Sequence, residues 1–197
     1  MANLAKIRKS IGSRIANPIV GTLAKTGLKP DTLTLVGLAI NIGAACLIAL
    51  NHFVLGGVLV LVSGLFDLLD GALARFTKQT TKFGAILDST VDRISEAAIF
   101  CGLLLWYIPR GSEIEILLIF AVLIGSFLTS YIRARAEGIG LECQVGLFTR
   151  AERVIVLVLG LLLNQVFIAL CIMGVLVYVT VVQRLFYLRS KAKTGGG

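Results

Sequence analysis

The order of apolar and polar stretches along the chain predicts a bundle of membrane-spanning helices. Six apolar stretches follow residue 30, and most approach the roughly 20 residues that a helix needs to cross the hydrocarbon core. Their approximate bounds are Leu33–Leu50, Phe53–Phe76, Phe83–Ile108, Ile114–Arg135, Ala151–Leu163 and Val166–Tyr187. The fifth stretch is short, and its border with the sixth is the least distinct of the set. The expected fold class is therefore an all-α membrane protein with six transmembrane helices.

The N-terminal segment has a different pattern, in which basic residues flank regularly spaced apolar ones. Within residues 3–17 the apolar positions repeat at intervals of three or four, at Leu4, Ile7, Ile11 and Ile15. This pattern is typical of an amphipathic helix that lies on an anionic membrane surface, and the alternative interpretation is a solvated basic arm. We therefore expect one membrane domain over residues 1–197, with an interfacial helix and connector in 1–30, the six-helix bundle in 31–190 and a tail in 191–197.

Composition and charge narrow the class of protein further. Hydrophobic residues make up 57% of the chain, above the roughly 45–50% that is usual in soluble domains. The net charge is +8, and of 19 Lys and Arg residues only Arg110 falls in a connection on the side opposite the termini. The positive-inside rule then places both termini in the cytoplasm. We expect a multi-pass plasma-membrane protein that contacts lipids and binds no nucleic acid. The four cysteines are scattered and indicate neither disulfides nor a zinc site.

Four aspartates stand inside the second and third apolar stretches. Asp67 and Asp70 are three residues apart and Asp88 and Asp92 are four apart, so each pair lies on one face of its helix. The polar segment Thr77–Lys82 suits a short turn, which would bring both pairs to one membrane face. Carboxylates at membrane depth are costly without partners, and oxygen ligands without His or Cys favour Mg²⁺, Mn²⁺ or Ca²⁺. Two divalent ions shared by four carboxylates would form a clamp for phosphoryl groups.

The residues between the aspartates complete a recognisable motif. Gly71 and Gly84 allow a ligand to approach the backbone closely, and Arg75 offers a fork for phosphate. Together the residues from Asp67 to Asp92 read D-x2-D-G-x2-A-R-x8-G-x3-D-x3-D. This pattern resembles the signature of the CDP-alcohol phosphotransferase family. The alternative interpretation is a chance cluster of polar residues at a helix–helix interface.

The resemblance implies an enzyme that moves the phosphatidyl group of CDP-diacylglycerol to a hydroxyl acceptor and releases CMP. It implies a homodimer and two Mg²⁺ ions, with Mn²⁺ as a substitute, and it makes Asp92 the catalytic base. The metal ligands that it implies are Asp67, Asp70, Asp88 and Asp92. The residues that it places around the CDP-diacylglycerol donor are Asp31, Thr32, Thr34, Gly71, Arg75, Thr81 and Gly84.

A second set of polar residues stands at the cytoplasmic ends of the last three apolar stretches. Arg133, Arg153 and Arg184 fall at predicted helix ends at the depth of the aspartates, where an anionic substrate needs arginine. The alternative is the ordinary positive-inside excess. The surrounding segments S-Y-I-R-A-R-A-E, R-x-E-R and V-Q-R-L, with L-x-P-D-x-x-T at residues 28–34, are similar to the phosphatidylinositol-phosphate synthase branch of the family. That resemblance implies that the phosphate of inositol 1-phosphate is bound by Ser130, Arg133, Arg153 and Arg184.

Three points stay open at this stage. Glycerol 3-phosphate is the other enzymatic acceptor, which would make the protein a phosphatidylglycerol-phosphate synthase. A divalent-cation channel or transporter is a distant alternative, because conduction does not need the glycines and the arginine of the motif. Glu96 stands four residues after Asp92. It either contacts the metal-binding aspartates without binding the ion itself or makes a buried polar contact between helices.

Overall fold

The computed structural model describes residues 20–21, 24 and 27–194, with side chains as far as residue 192. The predicted interfacial helix over residues 3–17 lies outside the described residues, as does the end of the predicted tail. Within the described part the chain is all α-helical and contains no β-strand. The predicted fold class is confirmed at this level.

Six α-helices make up the part that the structure describes. They are α1 (Pro30–Ala49), α2 (Phe53–Phe76), α3 (Lys82–Tyr107), α4 (Glu113–Gly138), α5 (Arg150–Leu162) and α6 (Val166–Thr194), with a 3₁₀ turn at Ile108–Arg110 between α3 and α4. The predicted stretches correspond to these helices one for one, and the bounds of the second agree at both ends. The last helix continues to Thr194, well past the predicted Tyr187. The added turns contain basic residues, which interact favourably with the C-terminal end of a helix.

Local chemistry explains where the helices begin and end. Pro30 opens α1, as a residue with a fixed φ and no N–H can do at a first helical position. Thr149 and Glu152 form a capping box at the start of α5, in which the Thr149 N–H donates to Glu152 Oε2 at 2.8 Å. Asn164 has a left-handed backbone with φ of 56°, which ends α5 at the predicted border with α6.

Four of the helices are long and apolar enough to cross a membrane. They are α1, α2, Glu113–Gly138 and Val166–Ala192 of the last helix. The other two predicted spans do not reach this standard, for two different reasons. Helix α3 carries several charged residues along its first half, and α5 has only 13 residues. Since large apolar side chains such as Leu68 and Leu117, each 68% exposed, face outward, the chain is a multi-pass membrane protein with at least these candidate spans.

The chain divides into two compact units. The described residues of the first unit fall within Met1–Gly43 and Leu59–Ser95, and those of the second within Ala44–Val58 and Glu96–Gly197. In the first unit, Val20, Leu33 and Leu73 form a buried apolar cluster, against which Phe66 and Leu69 pack. Helix α1 is thereby packed against the half of α2 that carries Asp67 and Asp70.

Close helix packing also organises the second unit. Helix α4 packs against α6, and α5 packs against α6. A Cβ atom added to Gly125 of α4 would lie 2.5 Å from Val177 Cγ1 of α6, so this contact depends on the missing side chain. Small residues permit such close approach where lipid gives no hydrophobic drive for association.

Candidate active site

Three of the four predicted aspartates converge in the first unit. Asp67, Asp70 and Asp88 each offer a carboxylate oxygen, and these oxygens all lie within 4.8 Å of one another. Two oxygens on opposite sides of one ion, each bound at about 2.1–2.6 Å, would be roughly 4.2–5.2 Å apart. The three side chains therefore fit a hard divalent cation in both donor chemistry and spacing. The spacing of three residues on α2 and the short connection to α3 produce this arrangement.

Asp92 is placed differently from the other three. It lies one turn after Asp88 on α3 and is not a member of the group within 4.8 Å. One of its carboxylate oxygens is 3.8 Å from Arg93 Nη1, and its side chain is 14% exposed. Its predicted roles as a ligand and as a base stay predictions.

Thr34 fixes the orientation of the most buried carboxylate. Asp70 is only 5% exposed, and Thr34 Oγ1 donates a hydrogen bond of 2.6 Å to Asp70 Oδ2. The family resemblance implies a place for Thr34 at the donor site, whereas its hydrogen bond is to the acidic cluster. A hydroxyl that donates a hydrogen bond to a metal-ligating carboxylate fixes the orientation of that ligand without contacting the metal itself.

We expect Thr34→Val to weaken divalent-metal binding, because Val keeps the shape but cannot hold Asp70. Loss of such a supporting contact typically lowers metal affinity about 10- to 100-fold. The measurement is a Mn²⁺ titration of the purified protein by electron paramagnetic resonance, with Thr34→Ser as the matched control that keeps the hydroxyl. Equal Mn²⁺ affinity in the Val and Ser variants would show that the hydrogen bond has no part in metal binding.

The predicted donor-site residues of the first unit form two local groups. A Cβ on Gly71 would lie 3.3 Å from Arg75 Nη1, so the arginine folds back over the glycine. A Cβ on Gly84 would lie 3.0 Å from Thr81 Oγ1 and 3.5 Å from Asp31 Oδ1, and the Gly84 N–H donates to Thr81 Oγ1 at 2.9 Å. Thr32 is exposed in the first turn of α1. Both glycines thus keep space open beside polar side chains.

In the second unit, Arg153 is buried and held by a carboxylate. Its side chain is 4% exposed, and it forms a two-point ion pair with Glu96. Arg153 Nε donates to Glu96 Oε1 at 2.9 Å, and Nη2 donates to Oε2 at 3.2 Å. Arg153 Nη1 also donates to Thr129 Oγ1 at 3.4 Å. Of the two interpretations of Glu96, the structure shows the buried polar contact between helices.

Arg184 is buried in the same unit and shares a partner with Arg153. It is 6% exposed, its Nε donates to the Val145 carbonyl at 2.9 Å, and its Nη1 donates to the Thr129 carbonyl. Thr129 therefore accepts from one arginine through its hydroxyl and from the other through its backbone. The structure brings Arg153 and Arg184 together around one residue.

Arg133 and Ser130 differ from this buried pair. Arg133 is exposed and forms an ion pair of 2.8 Å with Glu137 one turn further along α4, with side-chain exposures of 56% and 50%. An exposed pair of this kind contributes little to stability, so Arg133 can turn toward a ligand at low cost. Ser130 follows Thr129 directly and is half-buried.

Sequence reasoning missed the residues that hold the arginines. Thr129 and the Val145 carbonyl were not singled out, although Thr129 stands directly before the S-Y-I-R-A-R-A-E segment. It is one of three hydroxyl residues, with Ser126 and Ser130, near the end of an apolar stretch, and this cluster is a signal in the sequence. A backbone carbonyl such as that of Val145 carries no signal in the sequence.

Comparison with known proteins finds a family model and named relatives that match most of the chain. The family model for CDP-alcohol phosphatidyltransferase matches residues 28–185. An archaetidylinositol phosphate synthase of Pyrococcus horikoshii is 36% identical over 193 residues, which cover 98% of this chain and 100% of the relative. A phosphatidylinositol phosphate synthase of Mycobacteroides abscessus is 36% identical over 187 residues, covering 90% and 85%.

Solved structures are similar over the same region. The crystal structure of Mycobacterium tuberculosis phosphatidylinositol phosphate synthase with CDP-DAG bound has a TM-score of 0.79 and 36% identity, and it covers 88% of this chain and 92% of that one. A crystal structure of the same enzyme with manganese and citrate also has a TM-score of 0.79 and 36% identity, covering 87% of each chain.

An acidic cluster on two adjacent helices of an all-α membrane protein defines the class as a membrane enzyme that acts on phosphoryl groups. The chain belongs to the CDP-alcohol phosphatidyltransferase family. It is accordingly a transferase of phospholipid biosynthesis, as the aspartate motif indicated.

Proposed function

We propose that this protein transfers the phosphatidyl group of CDP-diacylglycerol to inositol 1-phosphate and releases CMP. The observation that carries the proposal is the convergence of Asp67, Asp70 and Asp88 within 4.8 Å in a chain of this family. The acceptor is supported by two relatives whose names both specify an inositol phosphate product. The donor is supported by the CDP-DAG bound in the similar mycobacterial structure.

The bond changes follow from this choice of substrates. The acceptor hydroxyl oxygen bonds to the phosphorus that carries diacylglycerol, and the bond from that phosphorus to the bridging oxygen breaks. CMP leaves with the electron pair, and Asp92 accepts the proton of the hydroxyl group. We propose that the four aspartates are ligands of two Mg²⁺ ions, which Mn²⁺ could replace. Such ions would supply Lewis-acid stabilisation of the diphosphate and of the leaving CMP.

The donor is proposed to lie against the two glycine-centred groups of the first unit. Gly71 and Gly84 leave the backbone open to the CMP moiety, while Arg75 contributes a guanidinium for a phosphate oxygen. The hydroxyl of Thr81 and the carboxylate of Asp31 stand beside Gly84 as hydrogen-bonding groups for the nucleoside. Thr32 and Thr34 complete the donor residues implied by the family.

The acceptor phosphate is proposed to bind the arginines of the second unit. Arg153 and Arg184 are buried and held by fixed partners, so their guanidinium planes are oriented before the substrate arrives. A phosphomonoester carries nearly two negative charges, and arginine binds such oxygens at two points. Arg133 and Ser130 are proposed to add contacts from the end of α4.

We also propose a topology and an assembly. Six membrane crossings, with α3 and α5 among them, place both termini and the active site in the cytoplasm. The concentration of Lys and Arg on that side supports this orientation. Residues 3–17 are proposed to form the interfacial helix, and the protein is proposed to act as a homodimer in the plasma membrane, as the family resemblance implies.

A panel of acceptors tests the proposed function directly. Purified protein with CDP-diacylglycerol and Mg²⁺ is expected to release CMP with inositol 1-phosphate at least about tenfold faster than with unphosphorylated inositol, since a charge-assisted contact is worth about 1.5–3 kcal/mol. The measurement is CMP release together with identification of the lipid product. Faster turnover with glycerol 3-phosphate would make the protein a phosphatidylglycerol-phosphate synthase, and no CMP release with any acceptor would refute transfer from CDP-diacylglycerol.

A second candidate concerns the donor lipid and not the acceptor. The relative from Pyrococcus horikoshii is named for an archaetidyl product, while the mycobacterial relative is named for a phosphatidyl product, and both are 36% identical to this chain. Parallel assays with CDP-diacylglycerol and with the CDP-activated archaetidyl lipid distinguish the two donors. Preference for the second donor would change the lipid but leave the acceptor assignment intact.

A further inference from the structure

The ion pair between Glu96 and Arg153 occupies two N–H groups of the guanidinium and fixes its plane. A guanidinium has five N–H groups in one plane. Glu96 takes one on Nε and one on Nη2, and Thr129 takes one on Nη1. These contacts account for three of the five N–H groups and leave one N–H on each terminal nitrogen. A two-point contact also fixes the plane of the guanidinium, which a single hydrogen bond would not do.

Thr129 extends the same arrangement to the second arginine. Its hydroxyl donates to the Ser126 carbonyl at 2.8 Å, which leaves an oxygen lone pair to accept from Arg153. Its own carbonyl accepts from Arg184, and the Val145 carbonyl holds Arg184 from another side. The orientations of both guanidiniums are therefore set by neighbours within the second unit. The two buried arginines are thereby linked through one residue.

We infer that Glu96 is a positioning residue of the acceptor site, which holds Arg153 so that its two remaining N–H groups, together with Arg184, meet the phosphate of the acceptor. This inference rests on the proposed function. Glu96 does not touch the acceptor and acts through Arg153 alone. The negative charge of Glu96 offsets the charge of Arg153, so the role inferred for Glu96 is to orient the guanidinium and not to add positive charge.

The test compares Glu96→Gln, Glu96→Asp and the exposed control Glu113→Gln, which makes the same chemical change in the first turn of α4. Glutamine keeps the shape but gives up the charge and one of the two acceptor oxygens. We expect Glu96→Gln to raise the KM for inositol 1-phosphate on the order of tenfold, the smaller effect of losing a charge-assisted contact. The KM for CDP-diacylglycerol should stay within about twofold. Glu96→Asp retains the charge on a shorter side chain and should restore part of the acceptor affinity.

A double-mutant cycle separates positioning from a general effect on folding. Lysine at position 153 keeps a positive charge but cannot make the two-point contact. If Glu96 acts through Arg153, the change Glu96→Gln should alter the acceptor KM less in the Arg153→Lys background than in the wild type. Inhibition by inorganic phosphate, measured in the same variants, should weaken in parallel with the acceptor KM.

The outcomes are distinct. Wild-type protein that does not use inositol 1-phosphate would refute the proposed function, independently of Glu96. Wild-type protein that uses it, with an acceptor KM that is unchanged or lowered in Glu96→Gln, would refute the positioning role. Effects of Glu96→Gln that are equal in the wild-type and Arg153→Lys backgrounds would also refute it. If Glu96→Gln does not fold, the Glu96→Asp variant decides the question. A raised acceptor KM with an unchanged donor KM would support the positioning role, and an unchanged acceptor KM would refute it.

Discussion

Asp70→Asn and Asp88→Asn are expected to abolish transfer while leaving a folded membrane protein. Their carboxylates lie with that of Asp67 within 4.8 Å, an arrangement in which the negative charges repel unless a cation lies between them. Removing one charge weakens the metal site without emptying space, since Asn has nearly the shape of Asp. A metal ion stabilises transition-state charge by several kcal/mol, and each 1.36 kcal/mol is tenfold, so we expect a loss of at least about a thousandfold.

The measurement is CMP release at saturating CDP-diacylglycerol, with Mn²⁺ binding followed in the same samples. Glu142→Gln is the matched control, because Glu142 is an exposed acid in the connection before α5 and lies outside the acidic cluster. Size-exclusion chromatography and thermal unfolding establish that the variants are folded. Near-normal turnover by either Asn variant would exclude the metal clamp as the source of catalysis.

Much of the first unit could be predicted from the sequence because its information is local. The spacing of Asp67 and Asp70 places both on one face of α2, and the polar residues after Phe76 predict the turn that brings α3 alongside. The pattern of apolar stretches also places most ends of the six helices within a few residues, although it ends the last helix at Tyr187 and not at Thr194. It could not show that the hydroxyl of Thr34 reaches Asp70, since those residues are 36 positions apart and their contact depends on how α1 packs on α2.

The second unit was less predictable, for a physical reason. Arginine at a cytoplasmic helix end has the same sequence signature whether it serves the positive-inside bias or a substrate. The burial of an arginine is a further observation, but it is a property of the packed helices and leaves no mark in a local sequence pattern. Arg153 and Arg184 are 4% and 6% exposed, whereas Arg133 is more than half exposed. The partners Glu96 and Thr129 lie 57 and 24 residues from Arg153 in the sequence, so no local pattern connects them.

Arg153→Ala should raise the KM for the acceptor strongly and the KM for the donor little. Arg153 and Arg184 are both anchored to Thr129, so the phosphate of inositol 1-phosphate is expected to meet two oriented guanidiniums. Losing one charge-assisted contact costs about 1.5–3 kcal/mol, which corresponds to roughly a ten- to hundredfold increase in acceptor KM. The donor is assigned to residues of the first unit, and its KM should therefore change by no more than about twofold.

The Ala variant also leaves Glu96 with its charge unpaired, and removal of one partner of a buried pair is destabilising. Arg153→Lys is therefore assayed beside it, because it retains the charge and should fold while still losing the two-point geometry. Both KM values are measured for each variant, with unphosphorylated inositol as a second acceptor. Truncation of Arg153 should not affect the reaction with inositol, because that acceptor has no phosphate for the arginine to bind. A change confined to the donor KM in both variants would falsify the assignment of Arg153 to the acceptor phosphate and would move this arginine to the CDP-diacylglycerol site.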